Sequence, residues 1–205
     1  MSSLPLLAEP LTDGQVALRD YAERDIPEIL IAHQDDPRMH LLTGEDRPPS
    51  GAELGRAAER EPLERAAGER ATLTILEPGS DACRGQIRVY PVDWDQSRAE
   101  VGIWLAPQVR GHGLGRSALT LAGQWLLGPC GLARVELFTE PDNAPMIRAA
   151  QDAGFVREGV LREYLRRRGK GIDVAVMSLI PGDAGDAGDP GGRGDPADPD
   201  DPGDT

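Results

Sequence analysis

Arg110, Gly111, Gly113, Gly115 and Arg116 stand within one stretch of seven residues. An apolar run, Val101-Gly102-Ile103-Trp104-Leu105, precedes it, and a segment with the apolar spacing of a helix, Leu114 to Leu127, follows. A glycine-dense turn between a strand and a helix leaves backbone N–H groups unpaired and pointing outward. The helix dipole adds positive potential at the same place, so such a turn can cradle a pyrophosphate. Two familiar cradles are excluded by spacing. A P-loop closes on Lys followed by Ser or Thr, whereas this run ends in Arg116-Ser117. The dinucleotide fingerprint requires G-x-G-x-x-G, whereas these glycines are spaced two and two. What remains is Arg-x-x-Gly-x-Gly at Arg110, Gly113 and Gly115, or an ordinary glycine-rich connection.

Other residues near this turn have types suited to chemistry. Glu100 opens the apolar run, and burial there would raise its pKa toward that of a useful general base. Its alternative is a surface carboxylate paired with Arg98 or Arg88. Asp93 and Asp95, on the adjoining turn, are second choices for binding a cationic group. Trp94 and Trp104 either wall a pocket or fill the core. His33 and His40 lack metal-ligand spacing with cysteines or carboxylates, which predicts no zinc site. Cys83 and Cys130 are too few for a disulfide framework and read as free thiols in a reducing compartment.

Three blocks keep a fixed order: Glu100 to Pro107, then the glycine turn with Asn143 beyond it, then Gly154-Phe155-Val156-Arg157-Glu158-Gly159 running on to Arg162. In order and spacing they resemble the GNAT superfamily of N-acetyltransferases, in its RimJ/RimL-like branch, over about residues 14 to 181. The resemblance implies a mixed α/β fold: a central, mostly antiparallel twisted sheet, splayed at the cofactor site, with helices on both faces. It implies acetyl-CoA, the pyrophosphate held by Gly111, His112, Gly113, Leu114 and Gly115 between Arg110 and Arg116. Arg110 either touches phosphate or orders the loop. The pantetheine arm would lie where the strand before the loop parts from that of Val135 to Phe138. There the backbone amide near Leu105 would polarise the thioester, and Asn143 would cap a helix and contact the arm. Glu100 would be the base, with Asp93, Trp94 and Trp104 on the acceptor side. One implication fails: the family's Ser and Tyr proton donors fall on Met146 and Ala150, which cannot donate. Tyr164 is a distant substitute, and water another.

These residues need elements to position them. Expected strands are Val16 to Arg19, Ala71 to Leu76, Gly85 to Tyr90, Arg98 to Leu105, Arg134 to Thr139, Phe155 to Leu161 and Ile172 to Ile180. Expected helices follow Asp25 as a cap, Ser50-x-x-Glu53 as a capping box, the glycine turn and Asn143. Met39 to Pro49 reads as an acceptor-side loop. Residues 1–13 read as an N-terminal extension. Residues 182–205 read as a disordered acidic tail, with eight aspartates against Arg193 and no large apolar side chain to offset its ordering entropy.

Of the net charge of −13, −7 falls in that tail. This balance argues against nucleic acid, whose phosphates need a cationic face, and suits a cationic amine. No apolar run is long enough for a membrane span and no signal peptide is visible, which predicts a cytoplasmic protein. The reading is an acetyl-CoA-dependent N-acetyltransferase acting on a protein N-terminus or small-molecule amine, with a homodimer left open. The alternatives are a catalytically degenerate acyl-CoA-binding module and an interaction protein on the same scaffold.

Overall fold

The computed structural model describes residues 3–42, 45–167 and 169–183. After Asp183 the expected tail lies outside the described residues. The elements run β1 (Leu11–Thr12), β2 (Ala17–Asp20), α1 (Ile26–Asp35), α2 (Met39–Leu42), α3 (Gly51–Ala66), β3 (Ala71–Leu76), β4 (Gly85–Val89), β5 (Arg98–Leu105), α4 (Leu114–Leu127), β6 (Arg134–Thr139), α5 (Ala144–Asp152), β7 (Val156–Arg167) and β8 (Lys170–Leu179). The strands form one eight-stranded sheet in the order β1-β2-β3-β4-β5-β6-β8-β7. Every pairing is antiparallel except that of β5 with β6.

Helices cover both faces, as β5 makes plain. Successive side chains on a strand point to opposite faces. Trp104 points toward α1, where its indole lies 6.4 Å from the His33 ring. Leu105 points toward α4, where a β-carbon on Gly115 would meet its Cδ1 at 3.5 Å. Ala118, Leu119, Ala122 and Leu126 of α4 are buried with Val135 and Leu137 of β6. Full burial of each such leucine contributes roughly 1.5–3 kcal/mol, and this packing fixes the helix against the sheet.

Several elements depart from the expectations. The first 13 residues are not a separate extension. Leu4 is buried in the core, β1 pairs with β2, and the buried Arg65 donates to the carbonyls of Leu4 and Pro5. Asp25 precedes α1 but its carboxylate does not cap it. It takes a bidentate ion pair from Arg19, at 2.9 and 2.6 Å, and a hydrogen bond from Thr74 Oγ1 at 2.7 Å. A buried guanidinium needs its counter-charge more than a helix needs a cap. The stretch after Met39 opens as a short helix rather than a loop. The final hairpin is longer than its alternation suggests, because register shifts at Arg157/Gly159 and Leu161/Leu165 interrupt the period. The capping box forms as expected: Ser50 Oγ accepts from Glu53 N–H, and Glu53 Oε2 from Ser50 N–H at 2.8 Å.

Candidate functional site

β5 and β6 pair at Arg98/Arg134, Ala99/Val135 and Glu100/Glu136, and their pairing ends there. Hydrogen bonds flanking the β4–β5 ladder, Tyr90 N–H to Glu100 C=O and Ala106 N–H to Arg84 C=O, show that the even-numbered residues of β5 bond toward β4. In an antiparallel pair the bonding residues alternate, so the N–H groups of Ile103 and Leu105 point the other way, toward β6. β6 has by then diverged. The two strands thus form a wedge with free backbone donors on one wall.

The glycine turn closes the mouth of this wedge. Gly111 and Gly113 have φ of 79° and 84°, the left-handed region that glycine adopts without strain. Gly113 is the N-cap of α4, and Ser117 N–H reaches its carbonyl at 3.2 Å. The N–H groups of Leu114, Gly115 and Arg116 make no hydrogen bond among the described residues. Free amides at a helix start, under the helix dipole, suit an anion. Loop and wedge share a cavity of about 640 Å³, bounded by β5, by Leu137 to Thr139 of β6, and by Asn143 and Met146.

Arg110 is engaged in ordering the loop. Its Nε donates to the Leu105 carbonyl at 2.9 Å, and its Nη1 pairs with Asp36 at 2.7 Å, which holds the Asp36 carboxyl below its ordinary range. Arg116 lines the cavity. His112 is exposed and the Leu114 side chain is buried in the core, and neither lines the cavity. Asn143 caps α5 by accepting from Met146 N–H at 3.3 Å, while its amide donates to Thr139 Oγ1 at 3.1 Å.

Glu100 is half-buried, and neither arginine considered as its partner takes it. Arg98 pairs with Asp93 and Arg88 with Glu45. Its carboxylate makes no hydrogen bond among the described residues. Burial raises its pKa, and the charge of Glu136, directly across the parallel pair, raises it further. A second cavity, of about 690 Å³, opens beside the wedge between the start of β5 and the β7–β8 hairpin. Glu100 and Phe138 line both cavities, at the point where the strands part. The second is walled by Asp93, Glu136 and Glu158 and by the rings of Phe138 and Tyr164, tilted at 34° with centroids 5.4 Å apart. Arg134 holds Glu136 and Glu158 together, and holds the Glu158 carboxyl down at about 2.

The remaining candidates divide. Asp93 reaches the second cavity but is tied to Arg98 and to Gln96 N–H. Trp94 stands apart from both cavities, its indole donating to the Gly68 carbonyl at 2.7 Å. Trp104 borders the first, but its ring is buried with Nε1 donating to Gln86 at 3.2 Å. An indole nitrogen with a polar partner inside the protein is free to act as core. Met146 borders the cavity, Ala150 is buried in the core, and neither carries a proton to give. Cys83 and Cys130 are free, and burial pushes both thiols up to about 12, which leaves them unreactive. No helix among the described residues is long and apolar enough to cross a membrane.

Sequence reasoning placed Met39 only in an acceptor-side loop, whereas it borders the first cavity, and it missed Tyr90, Glu136 and Phe138 as site residues. Only Tyr90 had a signal: Gly102, a glycine in a central strand, marks a place where another group approaches closely. A β-carbon there would stand 3.0 Å from Tyr90 Cε2.

The acetyltransferase (GNAT) domain model matches residues 15–156. The chain is 29% identical over 113 residues to the uncharacterized N-acetyltransferase p20 of Bacillus licheniformis, which covers 55% of this chain and 64% of that one. It therefore spans less than two thirds of that curated relative. RimJ of Mycobacterium smegmatis, solved with CoA-disulfide, superposes with a TM-score of 0.71 at 24% identity, covering 84% of this chain and 86% of that one. The spermidine N-acetyltransferase of Vibrio cholerae, solved with CoA and spermine, superposes at 0.71 with 20% identity, covering 84% and 99%.

Proposed function

The chain belongs to the GNAT acetyltransferase family, and on that premise we propose that it is a RimJ/RimL-like N-acetyltransferase moving an acetyl group from acetyl-CoA to a primary amine. One observation carries this reading. The wedge between β5 and β6 has unpaired backbone donors on its wall and free helix-start amides at its mouth, and it meets a separate acidic groove at Glu100.

Acetyl-CoA is a substrate here, and its thioester supplies the activated acetyl group. The backbone of Gly111, Gly113, Leu114 and Gly115 holds the pyrophosphate, with Arg116 beside it. Arg110 keeps the loop in shape through Leu105 and Asp36. The N–H groups of Ile103 and Leu105 face the pantetheine arm, and that of Ile103, nearer to Glu100 than the expected Leu105, polarises the thioester oxygen. The amine enters by the groove and comes to Glu100. With its pKa raised, Glu100 is poised to take a proton from the nitrogen as it bonds to the acetyl carbon. Asp93 and Glu158 are neutralised by arginines, so Glu100 is the carboxylate left free to receive a proton from the amine. Phe138 and Tyr164 give the groove an apolar wall, which favours an amine borne on a chain with apolar surface, a protein N-terminus or a small molecule. A cytoplasmic setting fits this chemistry.

A degenerate acyl-CoA-binding module is the second reading, favoured by Met146 and Ala150 at the family's donor positions. The test is release of free CoA from acetyl-CoA against a panel containing spermidine and short peptides with free N-termini. Steady, amine-dependent release supports transfer. Tight acetyl-CoA binding with no release from any amine supports the module.

A further inference from the structure

The proposed transfer leaves one need unmet. The sulfur departs as a thiolate, and the donor positions of the family carry Met146 and Ala150. We infer that Tyr90 fills the role: its phenol gives its proton to the departing sulfur, and Glu100, the residue directly across the strand pair, returns one to it. The inference rests on the transferase reading above.

Tyr90 follows β4, and its N–H bonds to the Glu100 carbonyl at 2.9 Å, so the two residues are cross-strand neighbours and their side chains share one face of the sheet. That face is the wedge's own, since Glu100, Gly102 and Tyr90 all border the cofactor cavity. Gly102 lies two residues along β5 from Glu100, toward the glycine turn. The missing side chain there leaves room for the Tyr90 ring to lie across the strand. A β-carbon on Gly102 would stand 3.0 Å from Cε2 and 3.1 Å from the hydroxyl oxygen. Any other residue would make the ring shift by a few tenths of an ångström.

The hydroxyl makes no hydrogen bond among the described residues, so nothing competes for its proton. Tyr90 also borders a third cavity, of about 480 Å³, beneath α3. Burial is the main cause that raises its pKa, and the charge of Glu100 adds to it. The phenol therefore stays protonated at neutral pH, as a general acid must.

The balance closes over the two residues. The amine enters neutral. Its nitrogen forms the C–N bond and gives one proton to Glu100. The C–S bond breaks with its electron pair going to sulfur, and the Tyr90 proton goes with it to leave the thiol. Glu100 then returns its proton to the phenolate, and both groups regain their starting states.

The test uses the full chain with acetyl-CoA and whichever amine of the spermidine and peptide panel turns over. Tyr90→Phe keeps the ring over Gly102 and removes only the hydroxyl. The expected result is kcat lower by at least about tenfold, less than the usual loss for a general acid because a thiolate is a weak base. Acetyl-CoA affinity should be unchanged. Fluorotyrosine at position 90 has a more acidic phenol, and should move the alkaline limb of the kcat profile to lower pH. Its fluorine resonance should also shift when acetyl-CoA binds, without turnover. A purely packing role predicts no change in limb position. If the natural protein turns over while Tyr90→Phe keeps its kcat and the limb stays put, this assignment is overturned and the transferase reading stands. If the natural protein binds acetyl-CoA yet turns over no amine, both fall.

Discussion

The cofactor wedge and the acceptor groove meet at Glu100 and Phe138, but they are made of different material. The wedge holds its ligand with backbone: amides of β5 left over where β6 departs, and amides of a helix start beneath three glycines. The groove is made of side chains, with charges mostly spent on one another through Arg98 and Arg134. A backbone site is fixed by topology and tolerates change in its side chains. A side-chain site can be retuned one residue at a time, so a family can keep one donor and vary its acceptors.

That contrast can be broken by substitution. Glu100→Gln is expected to have the largest effect, lowering kcat by roughly 10²-fold while acetyl-CoA affinity holds. Glu100 must be ionised to act and its pKa is raised, so activity should climb with pH through that raised value. The acidic limb should vanish in the variant. Near-normal kcat from pH 6 to 9, roughly where a shifted carboxylate or free amine titrates, would reduce Glu100 to a positioning role. Gly113→Asp should weaken acetyl-CoA binding by at least about tenfold, since it sets a carboxylate against the pyrophosphate and a side chain at a φ of 84°. Calorimetry on the folded variant checks this, and unchanged affinity would undo the loop assignment.

Smaller effects sharpen the comparison on the groove side. The charge of Glu136 helps to raise the Glu100 pKa. Glu136→Gln should therefore move the acidic limb to lower pH while leaving the plateau kcat within about twofold. A limb that stays in place would mean that burial alone sets it. Asp93→Asn should change kcat and KM by no more than about twofold, because its charge is already spent on Arg98. A large rise in KM for a cationic amine would return Asp93 to the acceptor site.

The same contrast decides how much was legible in the sequence. The wedge was: Arg110, Gly113 and Gly115 sit at a spacing that backbone geometry demands, and α4 runs from Leu114 to Leu127 as the apolar pattern predicts. Glu100 was legible because it opens a strand with an unmistakable apolar run. Trp94 was not, because an indole reads alike whether it walls a pocket or, as here, ties down the Gly68 carbonyl. Glu136, Phe138 and Tyr90 were hidden by separation in the chain, since only the sheet order brings β4 and β6 to opposite sides of β5. The long final hairpin was hidden by its register shifts, which break the alternation that marks a strand.

The central claim is that acetyl-CoA lies in the wedge where β5 leaves β6. Amide hydrogen exchange with and without saturating acetyl-CoA tests it most directly. The N–H groups of Ile103 and Leu105 face the open wedge, and those of Leu114, Gly115 and Arg116 have no partner among the described residues, so all should exchange readily in the free protein. The prediction is marked slowing at these five positions on binding, with Ile87 and Val89 of β4 unaffected. Binding that leaves the exchange of Ile103, Leu105 and the α4 start unchanged would contradict it.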